Sequence, residues 1–271
     1  MPSERANEAS SVRHPAVAGA FYPQGAPQLQ RMVDDLLATA RAQPAATPKA
    51  LIAPHAGYIY SGPIAASAFV QVKSPATIRR VVLLGPSHFV PLQGLALSPD
   101  TAFATPLGIV PVDQPAANQL QALPQVRVSE SAHRREHSLE VELPFLQQVL
   151  GAFTLVPLAV GDATDEEMGQ VIDLLWGGPE TLFVISSDLS HYLDYPSARQ
   201  LDSETASAIE ALRPEDIGTN QACGRVPIRG LLWAARQRRL AATTLDLRNS
   251  GDTAGPRDRV VGYGAFAFAA A

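Results

Sequence analysis

Three histidines occupy equivalent places in the sequence, each in a short polar turn directly after an apolar segment rich in β-branched residues. Imidazole nitrogens bind divalent metals and exchange protons near neutral pH. Because the carboxyl ends of parallel strands share one edge of an α/β sheet, turns that are distant in sequence can meet there. The pattern predicts one shared site; the structural alternative is three separate hydrogen-bonded histidines, with Asp188 capping a helix. The three turns are residues 54–58 with His55, residues 85–89 with His88, and residues 186–192 with Asp188 and His191.

Other residues could contribute to this site or be purely structural. Cys223 comes shortly before a helix with Pro227 in its first turn. A thiol there has a lowered pKa and can be a ligand or a nucleophile, but an inert buried cysteine is equally consistent. His137 precedes Ser138, a possible helix N-cap, and can be an ordinary neighbour of that cap. The polar loop 249–255 is either a flexible turn or a cover for a pocket, and it lacks the spacing of a phosphate loop. The remaining histidines, His14 and His133, are expected at the surface.

Strand-like segments alternate with helical patterns, which predicts an α/β fold with a mostly parallel central sheet flanked by helices. Thr164 starts a T-x-x-E pattern that predicts a capping box, and Ser197 is expected to start another helix. Residues 138–150 carry leucines on one helical face, with Pro144 as a possible kink. Weaker signals in residues 94–128 predict an antiparallel extension. The predicted strands are residues 49–53, 80–84, 153–160, 181–185, 242–247 and 259–268.

The composition indicates a globular protein of one domain. Of the 271 residues, 46% are hydrophobic and 17% are charged, and the net charge is −5. These values exclude an intrinsically disordered chain and, because basic runs are missing, argue against nucleic-acid binding. The sequence shows neither a membrane span nor a signal peptide, and it has one cysteine, so we expect a cytoplasmic location. Residues 1–12 are expected to be a disordered or loosely held tail before a single domain of residues 13–271.

Eight short motifs, in this order, resemble the Memo family, whose bacterial members are called AmmeMemoRadiSam system protein B. The motifs extend over residues 12–268, nearly the whole chain, so their combination is specific although each one is short. They are RHPAVAGAFYP (13–23), APHAGYIYSG (53–62), GPSH (85–88), REHSLEVEL (135–143), SSDLSH (186–191), CGRVPI (223–228), SGDTAG (250–255) and VGYGA (261–265).

The resemblance implies a fold similar to the catalytic subunit of the class III non-haem-iron extradiol dioxygenases, which cleave catechol rings. It also implies a metal centre in which a thiol stands where those dioxygenases have a carboxylate. By motif, the metal ligands are His55, His88 and Cys223, the polar pair lining the same pocket is Asp188 and His191, and His137 lies on the pocket wall.

Two imidazoles and a carboxylate suit Fe(II) and oxygen. A thiolate in place of the carboxylate makes the site softer, so copper and zinc are also possible metal ions. We expect one metal ion, with Fe(II) favoured. A free His191 is suited to proton transfer near neutral pH, and Asp188 could orient its ring.

Three functional hypotheses follow from this site. The first is a metal-dependent oxidoreductase acting on an unknown small molecule, by analogy with the dioxygenases. The alternatives are a non-catalytic protein that binds a ligand or peptide in the retained pocket, and a metal-dependent hydrolase that uses a bound water. The bacterial family name also suggests partners from a radical-SAM system.

Overall fold

The computed structural model describes residues 11–43 and 47–270. Residues 1–10 of the predicted N-terminal tail lie outside the described residues. Val12, the last residue of that predicted tail, pairs with Ala102 in a strand. The strands are β1 (Val12–Arg13), β2 (Ala50–Ala53), β3 (Arg80–Pro86), β4 (Leu95–Leu97), β5 (Ala102–Thr105), β6 (Gly108–Pro111), β7 (Val126–Val128), β8 (Thr154–Val160), β9 (Thr181–Ser186), β10 (His191–Leu193), β11 (Leu240–Asn249) and β12 (Val260–Ala270). The α-helices are α1 (Ala26–Thr39), α2 (Tyr58–Phe69), α3 (Gln114–Leu120), α4 (Glu130–Arg134), α5 (Leu143–Leu150), α6 (Asp165–Leu175), α7 (Tyr195–Glu210) and α8 (Arg225–Arg238).

The main sheet has the strand order β10-β12-β2-β9-β3-β8-β4-β7, and β11 pairs with β12. Its four central strands, β2, β9, β3 and β8, are parallel to one another. Antiparallel pairing begins on both sides of them, at β12 and at β4, so the sheet is mixed. The predicted α/β class is confirmed. The antiparallel extension is confirmed for β4, whereas β5 and β6 leave the main sheet and form a small one with β1.

Both faces of the central strands are buried, which explains why these strands are apolar without alternation. In β3, Val81 and Leu83 face a core with helices α1, α2 and α5, while Val82 and Leu84 face a core with α6 and α8. All four of these side chains are fully buried. Helices on both faces leave the carboxyl edge of the sheet as the place where polar loops can gather.

The helix starts only partly follow the sequence predictions. The capping box at Thr164 is confirmed, because its hydroxyl accepts from the N–H of Glu167 and the Glu167 carboxylate accepts from the N–H of Thr164. The predicted start at Ser197 is wrong: Asp194 caps α7 and accepts from the Ser197 N–H at 3.0 Å. Carboxylate and hydroxyl side chains are both good N-caps, so tertiary packing decides between them.

The predicted helix 138–150 is shorter than expected. A 3₁₀ turn covers residues 140–142, and α5 begins only at Leu143. Pro144 therefore lies in the first helical turn, where its missing N–H costs no hydrogen bond, and it produces no kink in the helix interior. Among the described residues, no helix is both long and apolar enough to cross a membrane.

Candidate metal centre

The carboxyl edge of the sheet brings together the turns that carry the predicted ligands. His55 follows β2, His88 follows β3 and Asp188 follows β9, and these three strands are adjacent and parallel. Cys223 reaches the same place from the segment before α8. Ligand atoms of His55, His88 and Cys223 all lie within 4.8 Å of one another. The predicted convergence of two imidazoles and the thiol is therefore present, and this group could bind a metal ion.

The spacing of the donor atoms fits a common ion. A histidine nitrogen at about 2.0–2.1 Å from zinc and a cysteine sulfur at about 2.3 Å, at a tetrahedral angle, lie roughly 3.6 Å apart. His55 Nε2 and Cys223 Sγ are 3.5 Å apart. Three protein ligands would leave coordination positions open for an exogenous molecule, as in catalytic rather than structural zinc sites.

Hydrogen bonds fix the tautomer of His55. The Ser186 hydroxyl lies 2.7 Å from His55 Nδ1, 2.8 Å from Glu142 Oε1 and 2.6 Å from the carbonyl oxygen of Ser138. A carbonyl only accepts, so the single hydroxyl proton of Ser186 goes to Ser138. The Nδ1–H of His55 must then donate to Ser186, which leaves Nε2 unprotonated and directed at the centre. Burial, with His88 and His137 nearby, also keeps the pKa of His55 well below its usual value.

The same hydrogen-bond inventory makes Glu142 a neutral carboxylic acid. The Ser186 oxygen has already given its proton to Ser138, so Glu142 can bond to it only by donating an O–H. Glu142 is fully buried, and its Oε2 has no hydrogen-bond partner among the described residues. Burial raises the pKa of Glu142 well above its usual value, which agrees with protonation.

Glu136 orients His88 in a similar way. Its Oε1 accepts from the His88 Nδ1–H at 2.9 Å, and its Oε2 accepts from the His88 backbone N–H at 2.6 Å. The backbone N–H groups of His137 and Ser138 also donate to Oε1, each at 2.9 Å. Burial acts to raise the pKa of Glu136, but the hydrogen bonds from His88 and Ser138 and the electrostatic effect of the His88 ring lower it to about 2.

A second group of possible ligands is made of His88, Glu136 and His137. The oxygens of Glu136 already accept four hydrogen bonds, and its bond to Nδ1 leaves Nε2 of His88 free for the first group. Glu136 therefore acts as the carboxylate behind a ligand, a common arrangement in metal sites. Sequence reasoning assigned no role to Glu136 or Glu142. The signal was two acidic residues, Glu140 and Glu142, inside the largely apolar segment that follows His137, and a third, Glu136, directly before that histidine.

Asp188 supports the centre through the backbone. Its Oδ1 accepts from the His55 N–H at 2.8 Å, and its own N–H donates to Cys223 Sγ at 3.3 Å. Burial raises the pKa of Asp188 to about 6, against the opposing effect of the His55 bond. Burial and the neighbouring Asp188 raise the pKa of the Cys223 thiol to about 12 in the metal-free protein. The lowered thiol pKa expected near a helix start is therefore not found, because desolvation dominates.

His191 lies beside the predicted ligands, on β10. Its Nδ1 lies 2.8 Å from the carbonyl oxygen of Leu189 and must donate to it, so Nε2 carries the free lone pair. The Leu189 carbonyl thus orients the ring of His191, and the role predicted for Asp188 in orienting it stays a prediction. His137 stacks on His88 with ring centroids 4.6 Å apart, and Ser138 is not a helix cap, because its hydroxyl donates to the Pro86 carbonyl.

A cavity of about 590 Å³ opens above His55 and His88. We call it the aromatic cavity, because four aromatic side chains line it. Arg259 supplies its one Lys or Arg side chain, and Ser250 and Gly255 of the polar loop 249–255 also line the cavity. Tyr192 lines the cavity, whereas Tyr58 is buried and its hydroxyl donates to the Val141 carbonyl. The aromatic side chains are those of Phe21, Tyr60, Tyr192 and Tyr263.

The expected surface position of His133 is wrong. Only 1% of its surface is exposed, and its Nε2–H donates to the Ala96 carbonyl at 2.8 Å. Burial lowers its pKa to about 4. His133 packs edge-on against Phe103 in the small-sheet region, away from the predicted ligands, while His14 is exposed as expected.

The fold and site define an α/β protein with a His–His–Cys group that could hold a metal ion at the carboxyl edge of its sheet. The chain belongs to the Memo-like protein family, whose sequence model matches residues 13–267. The resemblance carried by the eight motifs is thus confirmed over almost the entire chain.

Relatives from distant organisms support the same assignment. A MEMO1 family protein of Aquifex aeolicus is 36% identical over 265 residues, which cover 93% of this chain and 97% of that protein. Protein MEMO1 of Mus musculus is 35% identical, covering 82% of this chain and 84% of that protein. Among solved structures, the uncharacterized protein JW3007 from Escherichia coli K12 aligns with a TM-score of 0.47 and 14% identity, over 79% of this chain and 98% of that one.

Proposed function

We propose that this Memo-family protein is a metal-dependent oxidoreductase that acts on a small, oxygen-bearing organic molecule, with Fe(II) held by His55, His88 and Cys223. The observation that supports it best is that ligand atoms of the three residues lie within 4.8 Å of one another, with His55 and His88 lining the aromatic cavity. Two pre-oriented imidazoles and a thiol with open positions suit a redox-active or Lewis-acidic ion. When bound, that ion would polarise a substrate oxygen and exchange electrons.

The side chains around the centre supply binding and proton transfer. Tyr60 and Tyr263 offer aromatic surface to a flat organic molecule, and the cavity of about 590 Å³ has room for a small one. His191, with Nε2 free and Nδ1 fixed by Leu189, can accept a proton from a substrate hydroxyl. Asp188 holds the His55 backbone in place, and its role is positioning.

The test is metal analysis followed by an oxygen-uptake assay. Protein purified without oxygen is analysed for Fe, Cu and Zn, reconstituted with Fe(II) and assayed with a panel of catechols. We expect about one Fe(II) per chain, a sharp loss of metal in Cys223→Ala, and oxygen uptake with at least one catechol. Equal metal content in Cys223→Ala and the unaltered protein would show that the thiol is not a ligand.

A metal-loaded protein without oxygen uptake would favour the two other functions. A metal-dependent hydrolase would still require His191 as proton acceptor, so His191→Gln would abolish turnover of ester or amide substrates. Binding of a ligand or peptide without turnover would be measured by calorimetry and would survive that substitution. Partners from a radical-SAM system stay a prediction.

A further inference from the structure

A second cavity reaches the same centre from the side of the thiol. It measures about 670 Å³, and we call it the thiol-side cavity. Cys223 lines this cavity and does not line the aromatic one, while His55 and Asp188 line only the aromatic cavity. The full lining is His88, Leu189, His191, Tyr192, Leu193, Leu201, Thr219, Asn220, Ala222 and Cys223.

His88, His191 and Tyr192 line both cavities, and His191 and Tyr192 form the wall between them on the side of β10. The pairing of β10 with β12 shifts register between His191 and Leu193, and Tyr192 has a left-handed backbone with φ of 60°. A bulge of this kind re-aims neighbouring side chains and often lies next to active sites. The guanidinium of Arg259 lies 4.5 Å from the centre of the Tyr192 ring and steadies the wall from the aromatic side.

The two cavities differ in chemistry. The aromatic cavity has Arg259, whose charge favours an anionic or hydrogen-bonding group on a flat molecule. No lysine or arginine lines the thiol-side cavity, and Leu189, Leu193 and Leu201 make it mainly apolar. Apart from the histidines and the thiol, its polar lining consists of Tyr192, Thr219 and Asn220. This lining favours small uncharged molecules over ions.

We propose that the thiol-side cavity is a second, separate entrance that admits small uncharged molecules to the Cys223 face of the centre, while the organic substrate occupies the aromatic cavity. A bound ion would then be reached from two directions by two different reactants. The assignment of reactants rests on the proposed function, but the existence of the entrance does not, so the two can fail independently.

The chain offers a direct test, because Cys223 is its only cysteine. Iodoacetamide modifies the thiol of the metal-free, full-length protein, and mass spectrometry follows the rate. Asn220 and Pro256 are both exposed and each lines one cavity only, so Asn220→Trp narrows the thiol-side cavity and Pro256→Trp is its matched control. We expect Asn220→Trp to slow the reaction by about tenfold or more, because the reactivity of a thiol depends on its accessibility. Pro256→Trp should leave the rate unchanged.

Two further measurements make the result unambiguous. A series of uncharged alkylating reagents of increasing size separates a change of access from a change in thiol pKa, because a changed pKa slows all of them by the same factor, whereas a narrower entrance slows the larger ones more. Iodoacetate, an anion, is compared with iodoacetamide in folded and urea-unfolded protein, and the folded protein should favour the uncharged reagent more strongly. Slower reaction in Pro256→Trp but not in Asn220→Trp, or no preference for the uncharged reagent, would overturn the proposal.

Discussion

Replacing Glu136 by Gln tests whether a buried carboxylate prepares His88 for metal binding. Glu136 accepts four N–H groups through its two oxygens. A Gln side chain has one oxygen, so it can keep the three bonds of Oε1 only by placing its NH₂ group against the His88 backbone N–H, now 2.6 Å from Oε2. The lost acceptor should cost about 1–3 kcal/mol of unfolding free energy.

Metal affinity should fall as well, because a neutral amide holds the Nδ1–H of His88 less firmly than a carboxylate. Removing a carboxylate behind a metal ligand typically costs 10–100-fold in affinity, or about 1.4–2.7 kcal/mol. Competition with a chromophoric chelator measures the affinity for Zn(II), and urea unfolding measures stability. The control is Glu130→Gln, whose exposed carboxylate lies 3.9 Å from Arg134 on a nearby helix. Unchanged Zn(II) affinity in Glu136→Gln would refute this reasoning.

The remaining predictions concern two buried groups. At pH 7 the infrared spectrum should show the carbonyl band of a protonated carboxyl group, and this band should disappear in Glu142→Gln. The Gln side chain can still donate to Ser186, so Glu142→Gln should keep its metal affinity. Glu142→Leu cannot donate and should bind metal more weakly. If Glu142→Gln instead removes a carboxylate band, Glu142 is ionised and its assignment as a neutral acid is wrong. Because burial lowers the pKa of His133 to about 4, the folded state holds it neutral while the unfolded chain protonates it. Stability should therefore fall as the pH drops from 6.5 towards 4, by up to roughly 3 kcal/mol. Urea unfolding should show a weaker fall in His133→Gln and the full fall in the exposed control His14→Gln.

The sequence by itself determined the elements that carry the site. Apolar β-branched segments such as residues 80–84 are recognisable because a strand buried on both faces has no polar position. The sequence also predicted that the histidine-bearing turns after these strands meet, because parallel strands end at the same edge of a sheet. The motifs around His55, His88 and Cys223 were sufficient to identify the family and the group of residues that could bind a metal.

Only the tertiary structure decided how those residues are held. The roles of Glu136 and Glu142 depend on hydrogen bonds across about fifty residues of chain, to His88 and Ser186, and no local pattern encodes such partners. His133 is buried because the small sheet packs against its helix, which local polarity does not reveal. The two cavities likewise meet at His191 and Tyr192, where the pairing of β10 with β12 is irregular. Local propensity and periodicity specify elements, whereas partners and cavities arise only when distant elements pack together.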